Sequence, residues 1–429
     1  MGILIRNALV LTQNERREVL KDCDVLIEAN RIAKVGKGMR EKAEHVLDGR
    51  GKLVMPGLVN THTHLAMTLL RGYADDMRLE DWLEKKIWPR EAKLKPADVR
   101  AGSMLGCLEM IRGGTTSFVD MYFMMGETAA AVEKCGLRAN LAHGMIDMDK
   151  PERRKKELAA GEAFVREWNG KVRGRIMASF GPHAIYTCSR ELLEKTNELA
   201  HKHDVKIHIH LSESRKEVVD CLAKHSKRPA DYLESFGFLS KRVIAAHCVW
   251  LRREECALLG KRGVSASHVP ASNMKLAGGG AMPIPELEQA KANICLGTDG
   301  AASNNSLSMF GAMKLCALLH KNSRWDATVA PAQQVLDFAT RNGARAMGAE
   351  AGAIAEGRLA DLIMLDLRSP NLVPMHSAVS NVVYAASAGN VTDVIVDGKI
   401  LMRERKVVAF DEEKVMEAGE KAAFDLVSR

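Results

Sequence analysis

The 429-residue sequence is predicted to fold as a (β/α)8 TIM barrel with a small β-sandwich domain built from both chain ends. Three observations lead there: alternating strands at each end, eight short β-branched runs between them, and a polar residue closing each run. At the start, GILIRNALVLT and DVLIEANRIAKVG read as short strands broken at Asn30 and Gly36. Near the other end, LADLIMLDL (359–367) and VTDVIVDGKILM (391–402) alternate in the same way. Short strands cannot bury a face alone, so the two ends are expected to combine. Between them come LVMPGLVNTHTH (53–64), TSFVDM (116–121), RANLAHG (138–144), RIMASFGPH (175–183), KIHIHL (206–211), VIAAHC (243–248), GVSASH (263–268) and ICLGTD (294–299). Helical stretches such as SRELLEKTNELAHKH separate most of these runs, the pattern of parallel βα units. An open doubly wound sheet competes, but its glycine-rich phosphate fingerprint is absent. The expected organisation is a composite β domain from residues 1–55 and 350–410, a metal-dependent barrel over 56–349, and a charged helix over 411–429.

Composition narrows the function classes. With 46% hydrophobic and 27% charged residues the chain is neither disordered nor fibrous. Its net charge of +8 invites a nucleic-acid reading. The basic residues, however, are mixed with acids, as in PERRKKELAAGE (151–162), and only 5% of residues are aromatic, so no stacking surface is expected. No run reaches the roughly 18 apolar residues of a membrane span, and the start lacks a signal-peptide pattern, so a cytoplasmic location without membrane partners is expected. Nine scattered cysteines without a CxxC pair fit reduced thiols. A homo-oligomer is expected.

The polar strand ends are His62 and His64, Asp120, His143, His183, His210, His247, His268 and Asp299. A parallel barrel brings such ends to one mouth. Any single histidine there could simply bond a loop, but His62 and His64, two apart on a strand, project to one face and can share an ion. His210, Asp299 and Glu213 add an imidazole, a carboxylate ligand and a free carboxylic acid. This donor mix suits zinc, with iron or manganese also compatible. No lysine ends the fourth run to bridge two metals, so one divalent ion per chain is expected. His208, two residues before His210, is read as structural, and Trp82 as either core or a cover for a planar ring.

These segments resemble the amidohydrolase superfamily, in particular its 5-methylthioadenosine/S-adenosylhomocysteine deaminase branch, which includes archaeal 5'-deoxyadenosine deaminases. The resemblance rests on PGLVNTHTHLAMTLLRG (56–72), EDWLEKKIWPREAKL (80–94), GPHAIYTCS (181–189), HLSE (210–213), AAHCVWL (245–251), SHVPASNMKL (267–276), LGTDGAASNNSL (296–307) and EGRLADLIMLDL (356–367), and covers essentially the whole chain. It implies a hydrolytic deaminase acting on a small nucleoside, either 5'-deoxyadenosine, 5-methylthioadenosine, S-adenosylhomocysteine or adenosine. His62, His64, His210 and Asp299 would hold the metal, with Glu213 and His247 moving protons. Glu91 would bind ribose hydroxyls, and Trp82 and His183 would add substrate contacts. From spacing alone Glu91 could equally be a helix-surface partner of Arg90 or Lys93. His143 stands where some relatives carry arginine, which argues for small apolar 5' groups over a carboxylate-bearing one. Val269 stands where asparagine is frequent.

The residues also imply a mechanism. A divalent ion makes a water acidic near neutral pH for attack at C6 of the purine. Glu213 is placed to protonate N1, its own pKa raised by partial burial, while Asp299 and His247 share the remaining proton transfers. A chlorohydrolase or guanine-type deaminase would keep the same metal residues, and only the segment around Glu91 speaks against it. A non-catalytic scaffold would have lost ligands, and none is lost.

Overall fold

The computed structural model describes residues 2–429. Eight parallel strands follow one another around a barrel in chain order: Leu58–Thr63, Thr115–Tyr122, Arg138–Met145, Ile176–Pro182, Ile207–Leu211, Val243–His247, Ser265–His268 and Asn293–Leu296. They are almost entirely buried, as strands covered on both faces must be. The first and eighth strands meet closely. Backbone N–H groups of Thr298 and Asp299 both donate to the His62 carbonyl, and a Cβ on Gly297 would lie 2.8 Å from the His62 nitrogen. Only glycine permits that approach, and it brings Asp299 beside the histidines of the first strand.

Helices alternate with the strands. Two that follow the loops after the fourth and fifth barrel strands are capped by serine: Ser189 accepts from Leu192 N–H at the start of Arg190–His203, and Ser214 from Glu217 N–H at the start of Arg215–His225.

The two chain ends do combine. Five N-terminal strands and four C-terminal ones hydrogen-bond without a break into one nine-stranded mixed sheet. Its seam is the antiparallel pairing of Lys52–Pro56 with Leu362–Asp366, Val54 opposite Met364. The run over 53–64, read from sequence as a single strand, is two: it leaves this sheet at Pro56 and joins the barrel at Leu58. Gly57 makes the step, where a Cβ would overlap the Thr116 side chain at 2.1 Å. Sheet and barrel are tied by Arg138, buried at the start of the third barrel strand. It pairs with Asp361 at 2.6 Å and Asp397 at 3.1 Å. Loss of one partner from such a buried group costs roughly 3–5 kcal/mol.

The C-terminal helix Glu412–Ser428 packs on Pro96–Arg112 at Gly419, and Arg429 closes the contact with two bonds to Asp98 at 2.6 and 2.9 Å. All nine cysteines are buried and free of disulfides. Among the described residues no helix is long and apolar enough to cross a membrane.

Candidate active site

Four imidazoles and one carboxylate converge at the C-terminal mouth of the barrel. Each ring is held through its Nδ1 atom. His62 Nδ1 lies 2.7 Å from His208 Nε2, His64 Nδ1 donates to the Met121 carbonyl at 2.6 Å, and His210 Nδ1 donates to the His183 carbonyl at 2.8 Å. A carbonyl can only accept, so the Nε2 atoms of His64 and His210 carry lone pairs into the mouth. Their Nε2 atoms are 3.3 Å apart, and those of His62 and His64 each lie 3.4 Å from Asp299 Oδ1. Asp299 is itself fixed: Ser272 Oγ donates to Oδ2 at 2.6 Å and Gly300 N–H to Oδ1 at 2.7 Å.

This arrangement fits a metal ion. His62 Nε2 is fully buried without a hydrogen-bond partner, and the donor atoms of His62, His64 and His210, like those of His62, His247 and Asp299, lie within 4.8 Å of one another. Burial lowers His62 to a pKa of about 4 and His210 well below its ordinary value, so both rings are neutral, as ligands must be. Burial alone would raise Asp299, but the neighbouring imidazoles hold it well below the carboxylate range.

His247 differs from the other three. Its Nδ1 accepts from the Asn273 side-chain amide at 3.0 Å, which leaves the ring proton on Nε2, 3.7 Å from Glu213 Oε1. Burial and then the charge of Asp299 push Glu213 up to about 8. Its backbone is set by Glu217, whose buried carboxylate accepts N–H bonds from Ser212 at 3.0 Å and Glu213 at 2.8 Å. Sequence reasoning passed over Glu217, although a glutamate four residues beyond Glu213 in the first turn of a helix marks such a contact. Ser272 and Asn273 were likewise quoted only as part of a motif. His208, read as structural, turns out to carry His62.

Above the ion-binding end lies a cavity. One side is a cap formed by Leu79–Trp82, a π-helical turn at Leu83–Ile87, and Trp88–Glu91. Such turns recur at functional sites because the extra residue re-aims side chains. Here Trp82 and Glu91 both face the cavity. The Trp82 indole donates to the Ala74 carbonyl at 3.0 Å, which fixes the ring as wall. Burial raises the Glu91 carboxyl, against hydrogen bonding from Tyr122 and the charge of His64. Tyr122 also faces the cavity and was missed from sequence. His183 lines the opposite side, its Nδ1 2.9 Å from Thr187 Oγ1. No arginine or lysine lines this cavity among the described residues.

One expected residue is not there. His143 does not face the cavity; Gly144 does. Successive strand residues point to opposite faces, and His143 points outward under the helix Pro151–Trp168. There its Nε2 is 3.7 Å from Glu157 and its ring 6.2 Å from Phe164. His268 also faces away, toward His320 of the helix Met309–Arg324.

The chain is similar to known proteins over its whole length. Residues 53–401 match the amidohydrolase family. A 5'-deoxyadenosine deaminase of Methanosarcina mazei is 49% identical over 427 residues, spanning 100% of this chain and 99% of its own. A 5-methylthioadenosine/S-adenosylhomocysteine deaminase of Pelotomaculum thermopropionicum is 46% identical over 435 residues, again covering 100% and 99% of the two chains. Among solved structures, a zinc-bound adenosine deaminase of Xanthomonas campestris superposes with a TM-score of 0.95 at 34% identity, covering 100% of this chain and 99% of that one. With the family match spanning most of the sequence and full-length relatives near half identity, this chain belongs to the amidohydrolase family.

Proposed function

We propose that this protein hydrolyses 5'-substituted adenosines, with 5'-deoxyadenosine and 5-methylthioadenosine foremost, to the inosine analogue and ammonia. The observation that carries the reading is one apolar cavity with Glu213 beside the histidine cluster at one end and Glu91 facing it from the cap. The full-length similarity to deaminases of adenosine-type nucleosides supports it.

His62, His64, His210 and Asp299 would hold one divalent ion, with zinc favoured by the nitrogen and oxygen donors and by the zinc of the similar solved structure. When bound, the ion supplies Lewis acidity that makes water acidic near neutral pH. Glu213, protonated at neutral pH because of its burial, donates to purine N1 as water adds at C6. His247 presents its Nε2–H beside Glu213, so it orients the attacking oxygen and supports the tetrahedral adduct by hydrogen bonding. Asp299, held anionic by the imidazoles, accepts the water proton. That proton passes to the leaving amine, and as ammonia departs and the C6=O bond forms, the second proton of the added water returns to the Glu213 carboxylate. Glu91 accepts hydrogen bonds from the vicinal ribose hydroxyls, and Trp82 and His183 flank the nucleoside.

The 5' preference follows from the cavity wall rather than from His143. With no arginine or lysine lining it, a substrate carboxylate would be desolvated without a counter-ion. Small apolar 5' groups have no such cost. The test is a product screen on metal-loaded protein over 5'-deoxyadenosine, 5-methylthioadenosine, adenosine, S-adenosylhomocysteine, guanine and a chlorotriazine. Ammonia release led by the first two is expected. Preferential turnover of guanine, or chloride release from the triazine, would overturn the assignment, and a strong preference for S-adenosylhomocysteine would overturn the 5' argument.

A further inference from the structure

Glu213, Leu79 and Leu276 each border two spaces. One is the substrate cavity, and the other is a cleft between residues 76–80, 213–216 and 273–278. The wall the two spaces share stands at the reactive end of the cavity: Asn273, which lines the cleft, holds His247, and His247 is 3.7 Å from Glu213. Glu91 and Tyr122 do not border it. In an adenosine, N1 and the leaving nitrogen are bonded to the same carbon, C6. A nucleoside whose N1 meets Glu213 therefore brings its leaving nitrogen toward the wall that the two spaces share. A wall backed by packed core would confine that nitrogen to the size of ammonia, whereas here the shared wall includes two leucine side chains with a cleft on their far side.

We propose that the site also hydrolyses adenosines bearing a small alkyl group on the leaving nitrogen, releasing the alkylamine. This inference rests on the deaminase reading above. The chemistry needs only water: its oxygen bonds to C6, the C6–N bond breaks with its electron pair leaving on nitrogen, and that nitrogen takes the proton water gave up. No redox partner is involved. Leu79 and Leu276 make that wall apolar and deformable, which suits a methyl to propyl group, while the outer cleft carries Arg78, Arg215 and Lys216. The alkyl group therefore rests against the leucines and the charged rim stays in water.

The experiment compares 5'-deoxyadenosine with its N6-methyl and N6-propyl derivatives on the metal-loaded enzyme, identifying the released amine by chromatography. Methylamine and propylamine are expected, with kcat/KM for the N6-methyl compound within about 100-fold of the parent, inside the range one carbon makes in an apolar pocket. If the parent is deaminated and the N6-methyl compound is slower by about a thousandfold or more, the inference is wrong and the deaminase reading stands. If the parent is not deaminated, both fall. A second measurement reads the ratio of kcat/KM for the N6-propyl compound to that for the parent, so that any general loss of activity cancels. The ratio should rise in Leu276→Ala and fall at least about 10-fold in Leu276→Trp. A ratio unchanged in both variants overturns the route past Leu276.

Discussion

Two buried histidine clusters in this molecule share residue types but are built for opposite ends. At the barrel mouth, His62, His64, His210 and His247 are each gripped at Nδ1 by a neighbour, and their Nε2 atoms surround or adjoin the carboxylate of Asp299. Where the seventh strand meets the helix Met309–Arg324, His268 and His320 bond each other Nε2 to Nε2 at 3.0 Å, with Cys316 close by. There both Nδ1 atoms are buried without partners, and burial pushes the Cys316 thiol upward so that it stays protonated. The group offers three donors but no anion and no anchoring. Donor count therefore does not make a metal site; a metal-binding histidine needs its far nitrogen held and a negative charge to offset the ion.

The largest expected effect tests that comparison directly. His62→Ala should lose both the metal and the activity, because one of four ligands is gone. His320→Leu should cost about 1–3 kcal/mol in unfolding free energy by stranding His268, yet leave metal content and kcat unchanged. Elemental analysis of both, with thermal or urea unfolding of the second, checks the pair. Two tightly held ions in the unmodified protein, one of them lost in His320→Leu, would break the comparison.

Glu213→Gln should retain the metal and lose roughly 10² to 10⁴ in kcat, because the amide can hydrogen-bond N1 but cannot protonate it. The pH profile sharpens this. In the proposed reaction Glu213 is the acid, and burial raises its pKa to about 8, so the protonated form is present at neutral pH and disappears as pH rises through that value. Above it, kcat/KM for 5'-deoxyadenosine should fall about tenfold per pH unit. Glu213→Gln should lack this limb.

Smaller effects belong farther from the ion. Glu91→Ala should reduce kcat/KM for ribonucleosides by roughly 2 kcal/mol, the scale of charge-assisted hydrogen bonds, with little further loss on a 2',3'-dideoxy analogue. His143→Ala should change kcat/KM by less than about twofold, since its ring lies outside the barrel against Glu157. A large loss of ribonucleoside binding in His143→Ala would mean that the third strand presents a different face to substrate.

Much of this was legible in the sequence because the signals are local. The alternation of strands and helices gave the barrel, and HTH at 62–64 with HLSE and LGTD gave the converging donors. His143 misled because ending a strand does not say which face a side chain takes; counting alternate residues back from it along the strand puts it with Leu141, which packs outward, and not with Gly144. Tyr122 and Asn273 were obscure for another reason. Each acts through a partner distant in sequence, Glu91 and His247, which leaves no spacing pattern. The split of 53–64 at Gly57 was passed over although the Pro56–Gly57 pair is a turn signal in the sequence, and the crowding against Thr116 shows why the step falls there.

The seam of the small sheet has a consequence for how the chain is made. Lys52–Pro56 cannot complete its pairing until Leu362–Asp366 has been synthesised, about 300 residues later. At ribosomal rates of roughly 5–20 residues per second, that strand waits about 15–60 s with an open edge. An unpaired, apolar edge is a template for pairing with other chains, so the nascent protein is most vulnerable to aggregation while its barrel is still being translated. Slow translation or a truncated C-terminus would prolong that exposure even though every residue of the catalytic cluster had already been made.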